Sequence, residues 1–347
     1  MKKIYVGMSG GVDSSVTSAL LKQQGFDVVG IYMKNWTQDV SGIACPWKQD
    51  LADARAAAVA VDIPFKIFDF QADYKKLVVD TMVSEYLAGH TPNPDIMCNQ
   101  EIKFKLFLEA ALDDGADLIA TGHYARNIGG KLAMGVDANK DQSYFLYRST
   151  ANALAKTIFP LGEMTKPEVR KLAVKFELPT ATKPDSQGIC FVGEVGIRAF
   201  LSQYVATLPG DIINKSGAVI GHHEGAIFYT IGQRQGLGIG GGGPYYVVSK
   251  NMDANTVTVT DDANDFGLET DNFTVKDPHW IHEKPLLEKV YSFRLRHRGE
   301  LIPGHVSIEG DRAKVQLERP ERAVTAGQSA VVYDGEICLG GVFISLG

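Results

Sequence analysis

The feature that most constrains this chain is the order of its opening elements. An apolar run from Lys3 to Val6 leads into "GMSGGVDSSV" (7–16), a helical pattern follows from Val12 to Gln24 and stops at Gly25, and a second apolar run spans Asp27 to Tyr32. Strand, glycine loop, helix and strand in that order make a βαβ unit. Residues 7–14 then lie at the carboxyl end of the first strand, where open α/β sheets bind their ligands. Gly7, Gly10 and Gly11 remove side chains where the backbone turns sharply, so its amides can face a bound group. A helix starting near Val12 or Asp13 adds unsatisfied N–H groups and a positive dipole end, which favour an anion, above all phosphate.

The same alternation continues to about residue 200. Phe65 to Phe70 and Asp117 to Thr121 read as further strands, and Asp50 to Val61, Asp73 to Leu87 and Phe104 to Asp113 as helices. This predicts an α/β fold with a parallel sheet over residues 1–203. Beyond Tyr204 helical patterns largely disappear. "LPGD", the run Gly240 to Gly243 and "NTVTVTD" predict a small β-rich unit over 204–271. From 272 to 347, "KVYSFRLRHRG", "GHVSIEGDRAKVQLERP" and "SAVVYDGEICLGGVFI", with turns at Gly310-Asp311 and Asp334-Gly335, predict a C-terminal antiparallel β-barrel.

The 347 residues suffice for two or three domains with proper cores. Four widely spaced cysteines, Cys45, Cys98, Cys190 and Cys338, form no CxxC pair, which argues against a disulfide framework or zinc site and for a reducing interior. The N-terminus has no secretory pattern and no apolar stretch approaches the ~20 residues of a membrane span, so a cytoplasmic protein without membrane partners is expected. A net charge of −6 opposes indiscriminate nucleic-acid binding yet leaves room for a local basic surface.

The glycine loop is neither a Walker A motif, since no GK[ST] follows, nor a GxGxxG fingerprint. Taken alone it also reads as a turn capped by Asp13 or Ser14. Two other segments stand out. "HTPNPDIMCNQEIKF" (90–104) carries Cys98 between two prolines and a helical pattern, and Pro92 and Pro94 predict a stiff loop holding Asn93, Asp95 and Cys98. "ATKPDSQGICF" (181–191) is a second turn-rich stretch, carrying Cys190. Isolated cysteines are commonly buried small apolar groups, a reading that suits Cys338 in its apolar strand; polar surroundings make thiolate chemistry more accessible for Cys98 and Cys190. Asp95 also fits an Asx-turn. Within "RLRHR", alternation puts Arg294, Arg296 and Arg298 on one side of a strand, either a solvated face or a phosphate-tracking surface.

"SGGVDS" resembles the pyrophosphate loop of the ATP pyrophosphatase superfamily, whose members adenylate a substrate oxygen. That resemblance implies ATP as co-substrate, bound by Gly7, Met8, Ser9, Gly10, Gly11, Val12, Asp13 and Ser14, with Ser9, Gly10, Gly11, Asp13 and Ser14 on its phosphates. It also implies Mg2+ carried with ATP near Asp13 rather than a fixed metal site, Met33 in the adenine pocket, and Gly122 permitting close nucleotide approach. Taken with "NPDIMCNQEIKF", "TGHYAR", "KDQSYFLY", "KPDSQGICF" and "FYTIGQRQGLGIGG", the whole chain resembles the tRNA-specific 2-thiouridylases.

The resemblance implies an N-terminal PP-loop domain of the adenine-nucleotide alpha-hydrolase type and 2-thiolation of the wobble uridine in tRNAs for lysine, glutamate and glutamine. It assigns Cys190 a persulfide supplied by a sulfur-relay protein or cysteine desulfurase, Cys98 the attack on its inner sulfur that ends in a disulfide, and Asp95 acid/base work. It places Asn93, Pro94 and Asp95 at the target base, and His123, Lys140, Asp141, Gln142, Arg296, His297 and Gln328 at the tRNA, in a monomer. Cys45 and the 229–239 motif receive no mechanism. A sulfur-free ATP-dependent ligase and a tRNA- or nucleotide-binding module are the rival readings, and both leave the two loop cysteines unused.

Overall fold

Ile4, Tyr5 and Val6 are completely buried, because β1 (Lys3–Gly7) is the middle strand of a parallel sheet covered on both faces. The computed structural model describes residues 1–39, 45–185, 196–240, 243–309 and 312–345. β2 (Asp27–Lys34), β3 (Phe65–Asp69) and β4 (Leu118–Ala120) follow the expected strands; β5 (Ala125–Ile128) and β6 (Lys131–Met134) form a hairpin, and β7 (Thr157–Ile158) completes the sheet in the order β3-β2-β1-β4-β7. Lys3 pairs with Asp27 on one side of β1 and Ile4 with Leu118 on the other. The chain thus switches direction across the sheet between β1 and β4, which opens a crevice above their carboxyl ends.

α1 (Val12–Gln23) packs behind that crevice with Ser14, Ser15, Thr17 and Ser18 buried. A helix tolerates four such residues because their hydroxyls bond back to its own carbonyls: Ser15 Oγ to Gly11 O at 2.8 Å, Thr17 Oγ1 to Asp13 O at 2.9 Å and Ser18 Oγ to Ser15 O at 2.8 Å. α2 (Trp47–Val61) begins three residues before the expected Asp50.

The expected loop around Cys98 is a correction. Pro94–Met97 is helical, Cys98–Leu106 continues it as a π-helical segment, and Phe107–Asp113 closes the run. The prolines do not oppose this helix because Pro94 occupies its first turn, where an N–H has no partner to lose, while Asn93 Oδ1 accepts Asp95 N at 3.1 Å as the N-cap.

Among the described residues, the strands of the central unit are β8 (Gly210–Asn214), β9 (Val219–His223), β10 (Tyr246–Asn251) and β11 (Thr256–Thr260), in the order β10-β11-β8-β9. The C-terminal strands are β12 (Glu269–Trp280), β13 (Tyr291–Arg294), β14 (Ile302–Glu309), β15 (Arg312–Arg322), β16 (Ser329–Asp334) and β17 (Ile337–Ser345). Pairing of β12 with β17 closes these into an antiparallel barrel. The expected turn at Asp334-Gly335 joins β16 to β17, whereas that at Gly310-Asp311 lies outside the described residues.

The three units share packing. β6 extends the barrel sheet through Ala133 opposite Ile337, Tyr147 OH meets Ser329 Oγ at 3.0 Å, and Ile227 of the central unit joins the core of the first domain. Among the described residues no helix is long and apolar enough to cross a membrane.

Candidate functional site

The crevice between β1 and β4 holds a cavity of about 360 Å³. Gly7, Ser9, Gly11, Val12, Asp13 and Ser14 form one wall, with Met33 from the end of β2 and Gly122 from the end of β4. Gly11 is the N-cap of α1 and no side chain among the described residues caps it, so the first-turn amides remain available to an anion. Hydroxyls brace the loop: Ser9 N donates to Ser14 Oγ at 3.2 Å and Ser14 Oγ to Gly11 O at 3.2 Å. Gly10 has φ +78°, and a Cβ there would lie 2.3 Å from Asp50 O; a Cβ on Gly122 would lie 2.8 Å from Ser14 N. Both glycines are therefore obligatory for the loop's shape. Met8 and Gly10 do not line the cavity: Met8 is buried in the core beside β1, and Gly10 packs on α2.

Opposite the loop stand Lys103, His123, Lys140, Gln142, His297 and Arg298. His123 Nδ1 meets Thr121 Oγ1 at 2.8 Å and its Nε2 lies 3.5 Å from Lys103 Nζ. Burial, reinforced by Lys103, lowers its pKa well below the usual histidine value, so the ring is neutral. His297 stacks on Phe145 with centroids 4.5 Å apart, and burial with Arg298 lowers its pKa as well.

A charge lattice underlies the floor. Lys166 Nζ donates to Asp13 at 2.6 and 2.8 Å, Tyr124 OH to Asp13 at 2.8 Å, and Lys166 and Lys140 reach Asp185 at 2.9 and 2.6 Å. Arg170 adds a third bond to Asp185 at 2.6 Å. Burial alone would raise the Asp185 carboxyl, but the bonds from Lys140 and Lys166 hold it at about 2. Lysines and arginines outnumber the two carboxylates, which matches a polyphosphate. The donor set also fits Mg2+ arriving with phosphates, since Asp13 lines the cavity with a half-buried carboxylate and a phosphate-borne ion needs few protein ligands.

The remaining expected residues separate from this cavity. Asn93 and Pro94 line a second cavity of about 310 Å³ between the first domain and the barrel. Asp95, one residue on, has its carboxyl pKa raised by burial, an effect that Lys103 partly offsets. Cys98 is buried, with 5% exposure, at the start of the π-helical segment. Cys190 lies outside the described residues.

Three expected tRNA contacts are engaged within the protein. Asp141 is buried and accepts Gly135 N at 3.0 Å, Ser143 Oγ at 3.0 Å and the Arg294 guanidinium at 2.5 Å, so it anchors the segment bearing Lys140 and Gln142. Arg296 pairs with Glu321 at 2.6 Å on the surface, and Gln328 Nε2 donates to Thr91 O at 2.6 Å. The expected arginine face is also corrected: β13 ends at Arg294, which is partly buried against Asp141, and Arg298 at φ +60° lines the cavity. Cys338 matches its core reading, its thiol pushed up to about 12 by burial.

Lys103, Tyr124, Lys166 and Asp185 were missed. Tyr124 and Asp185 sit inside motifs already singled out; Lys166, at the start of helix Lys166–Lys175, carries no local signal because only the tertiary fold brings it to Asp13.

Comparison with known proteins gives three consecutive matches: the tRNA methyl transferase HUP domain over residues 2–194, the tRNA methyl transferase PRC-barrel domain over 198–261 and the Aminomethyltransferase beta-barrel domain over 270–344. The tRNA-specific 2-thiouridylase MnmA of Nitrosomonas eutropha is 46% identical over 354 residues, covering 99% of this chain and 98% of the relative. That of Proteus mirabilis is 48% identical over 355 residues, covering 99% and 97%. Among solved structures, the U34-tRNA thiolase NcsA from Methanococcus maripaludis is similar at 19% identity and a TM-score of 0.35, over 58% of this chain and 65% of that one. The assignment rests on the full-length relatives: the chain belongs to the tRNA-specific 2-thiouridylase family.

Proposed function

We propose that this protein converts a tRNA wobble uridine to 2-thiouridine, consuming ATP and releasing AMP and pyrophosphate. The uridine C2 carbonyl is a poor electrophile and its oxygen leaves reluctantly. In the reaction, that oxygen attacks the α-phosphorus of ATP and pyrophosphate departs, so the former carbonyl oxygen later leaves as part of AMP. Amides of the 9–14 loop and the start of α1, with Lys140, receive the departing charge. Asp13 would hold Mg2+ arriving with the nucleotide, and the ion would supply further neutralisation of the phosphates; Lys166 bridges Asp13 and Asp185 beneath them. Gly7 and Met33 border the adenine, and neutral His123 with His297 and Gln142 borders the tRNA side of the same cavity.

Sulfur comes from a persulfide on Cys190, charged by a sulfur-relay protein or a cysteine desulfurase. Its terminal sulfur bonds to C2, AMP leaves, and Cys98 attacks the inner sulfur, so that both residues end as a disulfide. An external thiol reductant returns the two electrons. Asp95, whose carboxyl burial keeps closer to neutral pH than usual, serves as acid/base beside the target base. The substrates are tRNAs for lysine, glutamate and glutamine, brought by the wobble base leaving its stack, and the enzyme works as a monomer in the cytoplasm.

One observation carries this reading. Lys103 and Asp185 both line the nucleotide cavity; Cys98 lies five residues before the first and Cys190 five after the second. Five helical residues advance about 6–8 Å, and five extended ones reach at most about 17 Å. These short chain separations support a reading in which one cavity serves both thiols. The test is a wild-type assay with unmodified tRNA, ATP, Mg2+ and a persulfide donor. The reading requires 2-thiouridine and pyrophosphate in equal amounts; pyrophosphate without thiolated tRNA would refute the sulfur step, and neither product would refute the whole.

A further inference from the structure

The motif "YTIGQRQG" (229–236) had no mechanism on sequence grounds, and Gln328 turns its amide inward rather than to solvent; one residue, Thr91, connects the two. Thr91 N donates to Ala326 O at 2.8 Å and Thr91 O accepts from Gln328 Nε2 at 2.6 Å, so the barrel holds its main chain at both ends. Its hydroxyl lies 3.3 Å from that of Thr230 in the central unit. Approach is close on both sides. A Cβ on Gly327 (φ +88°) would stand 2.9 Å from Thr91 N, and one on Gly89 (φ +81°) would stand 2.8 Å from Met252 Cγ.

Each jaw is itself rigid. In the central unit Gln233 Oε1 accepts Thr230 N at 3.1 Å, Gln233 Nε2 donates to Gln235 O at 2.9 Å, and Val247 N donates to Gln233 O at 3.0 Å. Lys250 Nζ fixes the Tyr229 carbonyl at 2.9 Å. On the barrel, Gly327 N donates to Ile344 O at 3.0 Å and Ile344 N to Gln328 O at 2.8 Å, tying the turn to β17. Between Thr91 and the helix that begins at Pro94 and carries Asp95 and Cys98 stand only Pro92 and Asn93. Pro92 and Pro94 fix their own φ angles and Asn93 caps the helix, so the position of Thr91 is passed on with little slack.

We propose that the 229–236 turn of the central unit and the 325–328 turn of the barrel form a clamp on Thr91 that sets the loop and helix bearing Asn93, Asp95 and Cys98. Gln328 and Gln233 are its positioning residues. The proposal rests on the thiolation reading above, because it assigns these residues to that reaction without contact with the reacting atoms. It redirects Gln328 from a tRNA contact to an internal strut.

The test combines Gln328→Ala, Gln328→Glu (the same shape without the N–H donor) and Gln233→Ala. Its readouts are tRNA Kd, single-turnover thiolation at saturating tRNA, and amide hydrogen exchange. Loss of one hydrogen bond predicts a saturated rate about tenfold lower for both Gln328 variants and about threefold lower for Gln233→Ala. Kd for tRNA stays within about twofold, since no phosphate or base contact is lost. Exchange over 90–98 quickens at least about fivefold in all three while 7–15 stays unchanged. A Kd raised about tenfold at unchanged saturated rate and exchange would make Gln328 a tRNA contact and overturn the clamp; unchanged behaviour throughout would overturn it too. If the wild type fails to thiolate tRNA, the functional reading falls, and exchange alone decides whether the clamp exists.

Discussion

The phosphate end and the sulfur end proposed for this site are built differently. At the phosphate end, one contiguous stretch supplies the backbone amides, a loop and a helix start, and glycines at 10 and 122 let neighbouring elements pack close against it. At the sulfur end, a cysteine on a π-helical segment, a capped proline loop and two turns from other domains must agree. The first is local chemistry. The second is assembly, and the two should fail separately.

The largest separation is expected at Gly122. Gly122→Ala places a methyl group 2.8 Å from Ser14 N and pushes the start of α1 off its phosphate geometry. tRNA-dependent pyrophosphate release should fall at least about a hundredfold, measured beside a thermal melt to verify folding. Gly240→Ala, where a Cβ meets nothing within 4 Å, is the matched control.

At the other end, Asp95→Asn should lower thiolation about a hundredfold, the usual weight of a general acid/base. Burial raises the Asp95 carboxyl pKa, so if it works as a base the wild-type rate falls as pH drops through that raised value, above the ordinary carboxylate range. The acid limb should vanish in the variant. A pH profile that Asp95→Asn leaves unmoved would remove Asp95 from the chemistry.

The comparison also explains what the sequence made legible. β1, β2, β3 and β4, the glycine loop and the closed barrel follow from apolar runs and turn residues, because buried strands such as β1 and a loop glycine at positive φ such as Gly10 leave local marks. The loop expected around Cys98 failed because Pro94 was read as a breaker, whereas at the first turn after an Asn93 cap it starts a helix. The arginine face failed because β13 stops at Arg294, and a buried Asp141 draws that guanidinium inward. Lys166 and Thr91 were illegible, since their partners Asp13, Gln328 and Thr230 lie 153, 237 and 139 positions away.

A smaller effect tests the floor that joins the two ends. Asp185 is held at about 2 in the folded protein, below the unfolded value of about 3.9. Its ion pairs therefore contribute fully above about pH 4 and are lost as pH falls toward 2, a contribution of roughly 2 kcal/mol at neutral pH. Urea midpoints measured from pH 6 to 2 should show this slope, and Asp185→Asn should remove it while lowering stability at pH 7.

The smallest effect belongs to Arg296, whose exposed pair with Glu321 adds little to stability. Arg296→Ala should weaken tRNA binding about two- to fivefold and reduce the salt slope by about one, with pyrophosphate release at saturating tRNA unchanged. A loss of that release would move Arg296 into the site proper.

The central claim is that adenylation and sulfur delivery occur at one cavity but depend on different residues, and the cysteines test it most directly. Cys98→Ser and Cys190→Ser are compared with wild type for 2-thiouridine and for tRNA-dependent pyrophosphate, with the core residue Cys338→Ala as control. The account predicts that each serine variant loses thiolation by at least about a thousandfold yet still releases pyrophosphate, and that Cys338→Ala matches wild type. Full thiolation by either serine variant, or loss of both products together, would contradict it.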